Sequence, residues 1–492
     1  MLKDSILDKK KKVYRLFIGG EWVETRETLD VCSPFSGKVV SRVFLAGKEE
    51  LIKVVETAHV SWQSVSSLTP FERGKILGKT ADILEQHIDE LATLIVLESG
   101  KTITESIGEA QAGILRLRFG IEEAKRLSGE VLREEVPVTS GKMGIILRQP
   151  VGVLLAVSPF NYPFFNPISK IAPAVAMGNA VILKPSSDDP TVTLLLARAF
   201  EEAGLPKGVL QVVVGSGGLV GDVLVPHPFV NMISFTGSSQ VGKEVARKAI
   251  FAKLHLELGG KCPAIILSDA DLDLAAEECA KGAFKFSGQR CDAISRILVV
   301  SEIYKQFVRK LLSKMSKWKM GDPMDSATSV GPLINEKAVK KVEELVIDAI
   351  QKGAKVLMGG KKESGLFFEP TVLGEVTEKM RIAWEETFGP VAAIMKVGDF
   401  EEAISVANKS EYALDSSIFT KSIDLALEAG MRLQSGTVQI NAAPAHGIGE
   451  FPFGGDESSG LGRQGIFVSA EEMTKTHAII FNNSNIKDQK LK

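Results

Sequence analysis

The sequence predicts an α/β fold built on a parallel, doubly wound sheet, and three observations carry that expectation. Short, mostly apolar runs rich in Val and Ile recur at 151–157, 180–183, 209–214 and 232–235. Helix-like segments at 164–176, 191–203, 219–224 and 240–250 follow them in turn. Strands buried on both faces read as such runs, and parallel neighbours need a crossover between them. The third observation is size: 492 residues leave room for about three domains, and a second block of similar texture follows the first.

The elements can be taken in order. Residues 17–23 alternate apolar and polar around Gly19-Gly20, the pattern of a short hairpin. Helical periodicity dominates from about 70 to 129, with Gly100 and Gly129 as stops. A β-like stretch, 131–148, contains Pro137 and Gly141. The alternating block follows it. The second α/β block, about 255–436, has strands near 264–267, 297–300 and 391–397 and helices at 301–317 and 336–352. Residues 437–477 are glycine-rich and then helical, without internal repeats or low complexity.

Composition narrows the function. Hydrophobic residues at 45% and charged residues at 24% exclude a disordered or collagen-like chain. Lys+Arg 59 against Asp+Glu 61 gives no basic excess for nucleic acid or a membrane surface. No apolar run approaches the roughly 20 residues of a membrane span, and residues 1–12 lack the apolar core of a secretion signal. A reducing, cytoplasmic setting is therefore expected. The cysteines, Cys32, Cys262, Cys279 and Cys291, form no CxxC pair, so neither a disulfide framework nor a cysteine metal site is expected. No metal-ligand spacing stands out among the other residues either.

Ligands of doubly wound sheets bind at the carboxyl ends of the strands, so the turns that follow the apolar runs carry the candidates. After 151–157 comes Ser158-Pro-Phe-Asn-Tyr-Pro163, where Asn161 is a turn former or a donor to an oxyanion. After 180–183 comes Lys184, either solvated or reaching a ribose or phosphate. The glycine-bearing turns 215–221 and 236–242 each place backbone N–H groups at a helix start, where phosphates bind. Neither is a GxGxxG. Glu257, before Gly259-Gly260, is a general base or a partner for a buried amide. Cys291 follows Arg290, a cation that lowers a thiol pKa and favours a nucleophilic thiolate. The other cysteines read as small packing residues.

Together these elements resemble the NAD(P)-dependent aldehyde dehydrogenase superfamily over nearly the whole chain. The resemblance rests on Leu256-Glu-Leu-Gly-Gly260, Gly288-Gln-Arg-Cys291, Pro452-Phe-Gly-Gly455 and Ser459-Gly-Leu-Gly-Arg463, in the family's order. It implies a Rossmann-type cofactor domain (1–130 and 149–254), an α/β catalytic domain (255–470), and a β oligomerisation arm with a C-terminal tail (131–148 and 471–492). It also implies a dimer or tetramer. By resemblance, Cys291 is the nucleophile, Asn161 and the Cys291 backbone N–H hold the oxyanion, and Glu257 activates the hydrolytic water. NADP or NAD would be held by Lys184, Ser187, Gly237, Ser238, Glu386 and Phe388. Ser187 stands where NAD-preferring relatives often carry a glutamate, so NADP is expected to be accepted.

Within the superfamily the chain most resembles non-phosphorylating glyceraldehyde-3-phosphate dehydrogenases, which oxidise that aldehyde to 3-phosphoglycerate. Arg118, Tyr162, Arg290 and His446 match their substrate positions, and paired arginines suit a phosphate. In the loop after Asn441 the subfamily often supplies another arginine, whereas this chain reads Ala443-Pro444-Ala445-His446. Lactaldehyde and succinate semialdehyde therefore stay open as substrates. A CoA-acylating dehydrogenase, which generally lacks the glutamate at 257, is a further alternative.

Overall fold

A computed structural model of the chain describes residues 2–8, 10–126, 128–133, 142–445, 447 and 449–482. The expected site residue His446 and parts of the expected arm and tail, 134–141 and 483–492, lie outside the described residues.

Two sheets organise the molecule. The first contains the hairpin strands β1 (Leu16–Ile18) and β2 (Glu21–Val23), then β3 (Val153–Val157), β4 (Ala180–Lys184), β5 (Leu210–Val212), β6 (Met232–Thr236) and β7 (Lys253–Glu257). Its order is β7-β6-β3-β4-β5-β1-β2, with the short strand Gly460–Leu461 antiparallel on the outer edge of β7. Strands β3 to β7 pair in parallel. Their side chains are almost entirely buried, as in Leu154, Leu155, Val181, Ile182 and Ile233, because helices cover both faces. The chain starts at β3, moves outward to β5, and returns to β6 on the other side of β3. The carboxyl ends of β3 and β6 thus flank the topological switch point, where such sheets bind ligands.

The second sheet contains β8 (Cys262–Ile266), β9 (Ile294–Val300), β10 (Lys355–Met358), β11 (Thr371–Gly374), β12 (Val391–Val397), β13 (Asp415–Phe419) and β14 (Thr437–Ile440). Its order is β10-β11-β12-β9-β8-β13-β14, parallel except for the β10–β11 pair. Each sheet lies in its own apolar core. A separate three-stranded antiparallel sheet joins Glu130–Arg133, Lys142–Pro150 and Thr474–Asn482.

Two boundaries differ from the sequence expectation. The division at residue 254 cuts through β7, which pairs along its length with β6. Ile466 and Ala470 join the first core rather than the second. Local alternation marks a segment as a strand but does not reveal which sheet it enters. Among the described residues no helix is long and apolar enough to cross a membrane.

Candidate active site

A cavity of about 910 Å³ separates the two sheets. The loops after β3 and β6 and the end of β7 reach it from the carboxyl edge of the first sheet, bringing Asn161, Gly237 and Glu257. The loops before β8, β9 and β12 reach it from the amino edge of the second, bringing Gly259, Cys291 and Glu386. All six residues line it.

Cys291 sits in a tightly built loop. Phe286 and Ser287 take φ of 47° and 53°, a left-handed conformation that costs energy for residues with a side chain. The loop is tied down by Phe286 N donating to Glu105 Oε1 at 2.8 Å, Ser287 Oγ to Gly331 O at 2.8 Å, and Ile334 N to Gln289 Oε1 at 2.9 Å. Gly260 explains half of the Leu-Glu-Leu-Gly-Gly motif: a Cβ there would meet the Cys291 carbonyl oxygen at 2.3 Å. Gly259 explains the other half, since its Cβ would stand 2.7 Å from Glu386 Oε1.

Asn161 donates through Nδ2 to Gln289 O at 3.0 Å, which fixes the amide beside the Cys291 loop and leaves its second N–H for a ligand. Its own carbonyl accepts from Lys101 Nζ at 2.6 Å. Lys101 is buried, pairs with Glu109, and lies 4.0 Å and 4.3 Å from the ring centres of Tyr162 and Phe286. Glu109 Oε1 in turn accepts from Phe164 N and Phe165 N at the start of the helix Phe165–Ala176. Lys101 and Glu109 thus frame the Asn161 turn. Their sequence signal is slight, a lysine just past the Gly100 helix stop.

Glu257 is buried, and its Oε1 lies 3.1 Å from His255 Nε2, while His255 Nδ1 lies 3.0 Å from Ser234 Oγ. The Pro-Phe-Gly-Gly motif serves the same carboxylate, since a Cβ on Gly454 would approach Glu257 Oε1 to 2.8 Å. Lys170, fully buried, donates to Thr236 Oγ1 at 2.7 Å. Burial pushes its ammonium down to about 7, partly offset by the charge of Glu257.

The expected thiolate at Cys291 needs correction. Burial raises its pKa well above the ordinary thiol value, and Asp292, Cys262 and Glu257 add to the rise. Arg290 opposes this weakly, because its Nη2 is bound to Asp292 at 2.8 Å and to Pro444 O at 3.0 Å. Of the other cysteines, Cys262 and Cys279 are buried as expected, whereas Cys32 is exposed.

Arg118 also departs from expectation. Its guanidinium pairs with Asp82 at 3.1 Å and Glu85 at 2.7 Å on the outer surface, away from the cavity. On the helix Ile103–Arg126 the residues lining the cavity are Thr104, Glu105, Gly108, Glu109 and Ala112. One turn beyond Ala112, this face carries Arg116, which is fully buried against Gly449. Tyr162 and Arg290 line the cavity as expected.

Residues expected to hold a dinucleotide gather on one side. Gly237, Ser238, Glu386 and Phe388 line the cavity. Ser238 caps the helix Ser239–Lys248, and a Cβ on Gly237 would strike the Phe235 ring. Lys184 and Ser187 lie beyond the cavity wall, at and just past the carboxyl end of β4. The turn 215–221 does not line the cavity, so only one of the two glycine-bearing turns faces it.

Comparison with known proteins matches residues 22–479 to the Aldehyde dehydrogenase family. The chain is 41% identical over 473 residues to the NADP-dependent glyceraldehyde-3-phosphate dehydrogenase of Streptococcus equinus, covering 96% of this chain and 99% of that one. It is 39% identical over 472 residues to a 3-sulfolactaldehyde dehydrogenase of Priestia aryabhattai, covering 96% and 98%. Among solved structures, the NADP-dependent glyceraldehyde-3-phosphate dehydrogenase of Bacillus halodurans C-125 complexed with NADP superposes with a TM-score of 0.93 at 39% identity, covering 95% of this chain and 99% of that one.

Proposed function

Because the chain belongs to the aldehyde dehydrogenase family, we propose that it oxidises glyceraldehyde 3-phosphate to 3-phosphoglycerate through a thioester on Cys291, using NADP or NAD. The observation that carries the chemistry is that Cys291, Glu257 and Asn161, contributed by two loops and the end of β7, open on one cavity. The substrate follows from the identity with the streptococcal enzyme and from Arg290 and Tyr162 on the cavity wall.

The dinucleotide side fits its ligand. Lys184 is half-buried and makes no side-chain hydrogen bond or ion pair among the described residues, and burial lowers its pKa. A ribose or phosphate would supply the missing partner. Glu386 offers a carboxylate to ribose hydroxyls, and Gly237 leaves a cradle at a helix N-terminus. When bound, NADP or NAD accepts the hydride of the aldehyde.

The residues of the chain do the rest. The Cys291 thiol gives up its proton to solvent, and the sulfur attacks the aldehyde carbon. Asn161 Nδ2 and the Cys291 backbone N–H stabilise the oxyanion that forms. After hydride loss the acyl group stays on Cys291 as a thioester. Glu257 then removes a proton from the attacking water, and the carboxylic acid leaves. The presence of Glu257 in this position favours hydrolysis over transfer to CoA.

A second reading, succinate semialdehyde or lactaldehyde as substrate, draws on the loop 443–445. It lines the cavity with Ala443, Pro444 and Ala445 and presents no side-chain charge there. For assembly, we propose that the three-stranded arm sheet pairs with a second copy in a dimer or tetramer. Val131, Leu132, Ile480 and Phe481 stand exposed on it, and open strand edges need cover.

The test is NADPH formation with glyceraldehyde 3-phosphate against glyceraldehyde, lactaldehyde and succinate semialdehyde. A kcat/KM advantage of about tenfold or more for the phosphorylated aldehyde supports the reading, and no advantage overturns it. Cys291→Ala should abolish turnover with every aldehyde.

A further inference from the structure

Most charged side chains on the cavity wall are already neutralised. Arg290 pairs with Asp292, Lys101 with Glu109, Lys281 with Glu278 and Lys341 with Glu386. Glu257 faces His255. Glu105 accepts from Phe286 N and Thr102 Oγ1. Lys337, on the side of Glu386, stands in solvent.

Lys285 is different. It is half-buried on the cavity wall, and among the described residues its Nζ makes no hydrogen bond or ion pair. It caps the helix Leu272–Phe284, where a cation is electrostatically welcome, yet Nζ bonds to none of the helix carbonyls. Burial lowers its pKa, and so does the like charge of Arg290, while Glu105 partly offsets both. Keeping an ammonium half out of water with no counter-ion is costly unless a ligand supplies the anion. The chain around it is held by the Glu105 bond to Phe286 N, so the lysine is presented on a fixed frame. Among the described residues, the loop 443–445 adds no side-chain cation to the wall.

We propose that Lys285 is a specificity-determining residue that binds the anionic end of the aldehyde substrate, supplementing an Arg290 already engaged by Asp292. The shared chemistry is a terminal phosphate, sulfonate or carboxylate on a short aldehyde whose carbonyl lies at Cys291. The inference rests on the reading that this cavity oxidises such an aldehyde.

The experiment compares wild type, Lys285→Gln and Lys285→Arg with glyceraldehyde 3-phosphate, 3-sulfolactaldehyde, succinate semialdehyde and neutral lactaldehyde. Loss of one charge-assisted hydrogen bond should lower the anionic-to-neutral ratio of kcat/KM about tenfold to a hundredfold in Lys285→Gln, mainly through KM. Lys285→Arg should restore most of it. Inhibition by 3-phosphoglycerate, read apart from turnover, should weaken in parallel. The arm that falls furthest identifies which anion Lys285 meets. A ratio and an inhibition constant within about twofold of wild type in Lys285→Gln overturn the inference while leaving the proposed activity standing. An equal loss with all aldehydes, or no restoration by arginine, also overturns it by showing a structural role. If wild type itself does not favour anionic aldehydes, the underlying substrate reading fails and this inference with it.

Discussion

The Nε2 of His255 lies 3.1 Å from Oε1 of Glu257, so an imidazole stands directly behind the carboxylate that faces the cavity. A carboxylate oxygen only accepts, so Nε2 donates to Glu257, while Nδ1 shares a hydrogen bond with the Ser234 hydroxyl. His255 is thus a positioning residue for the hydrolytic base. In His255→Ala the steady-state rate should fall about tenfold to a hundredfold while the first-turnover burst of NADPH survives. Rapid-mixing absorbance at saturating aldehyde checks this. Loss of the burst would place the pair before hydride transfer instead. Glu257→Gln should show the same pattern more strongly.

Arg118 and Arg290 should separate cleanly. Arg118 bridges two acids on the surface, so Arg118→Ala is expected to keep kcat/KM for glyceraldehyde 3-phosphate within about twofold. Arg290→Ala strands a buried Asp292, and breaking such a pair costs on the order of 3–5 kcal/mol. Denaturant unfolding beside steady-state kinetics distinguishes the two.

The proposed dinucleotide site makes Ser187 the expected determinant of coenzyme choice. Ser187→Glu would set a carboxylate against the 2′-phosphate, and the NADP over NAD ratio of kcat/KM should drop by about tenfold or more. Titrating both coenzymes measures it, and strict NAD preference in wild type contradicts the expectation.

Lys170 carries a pH signature. Its pKa falls from 10.5 to about 7 on folding. Between those values the unfolded chain binds more protons, so the contribution of Lys170 to stability rises with pH through this window. Lys170→Met removes that slope. The stability difference between variant and wild type should shift by about 1 kcal/mol per pH unit from pH 7 to 9, in favour of wild type. Urea unfolding at several pH values tests this, and a constant difference would contradict it.

Much of the site was legible before the fold was known. The glycines of Leu256-Glu-Leu-Gly-Gly260 and Pro452-Phe-Gly-Gly455 mark backbone approaches to Glu386, Cys291 and Glu257 that no side chain permits. What escaped was angular or long-range. Arg116 and Arg118 differ by two residues, roughly 200° around a helix, enough to move a guanidinium from the core to the surface. The proximity of Arg290 to Cys291 is visible in the sequence, but its bond to Pro444 and the surroundings that raise the thiol pKa are not. His255 and Lys101 acquire meaning only when strands and helices far apart in the chain meet.

The proposed nucleophile Cys291 hangs from one sheet and the proposed hydrolytic base Glu257 from the other, so no single element sets the distance between them. The chain crosses between the two cores at Gly259-Gly260, where hydrogen bonds between the glycine backbone and the Ser239, Glu386 and Ser459 side chains hold it. Modest heating that lets the two cores slip past one another would therefore disarm the enzyme while each core stayed intact. Inactivation should run ahead of melting, and recover on cooling.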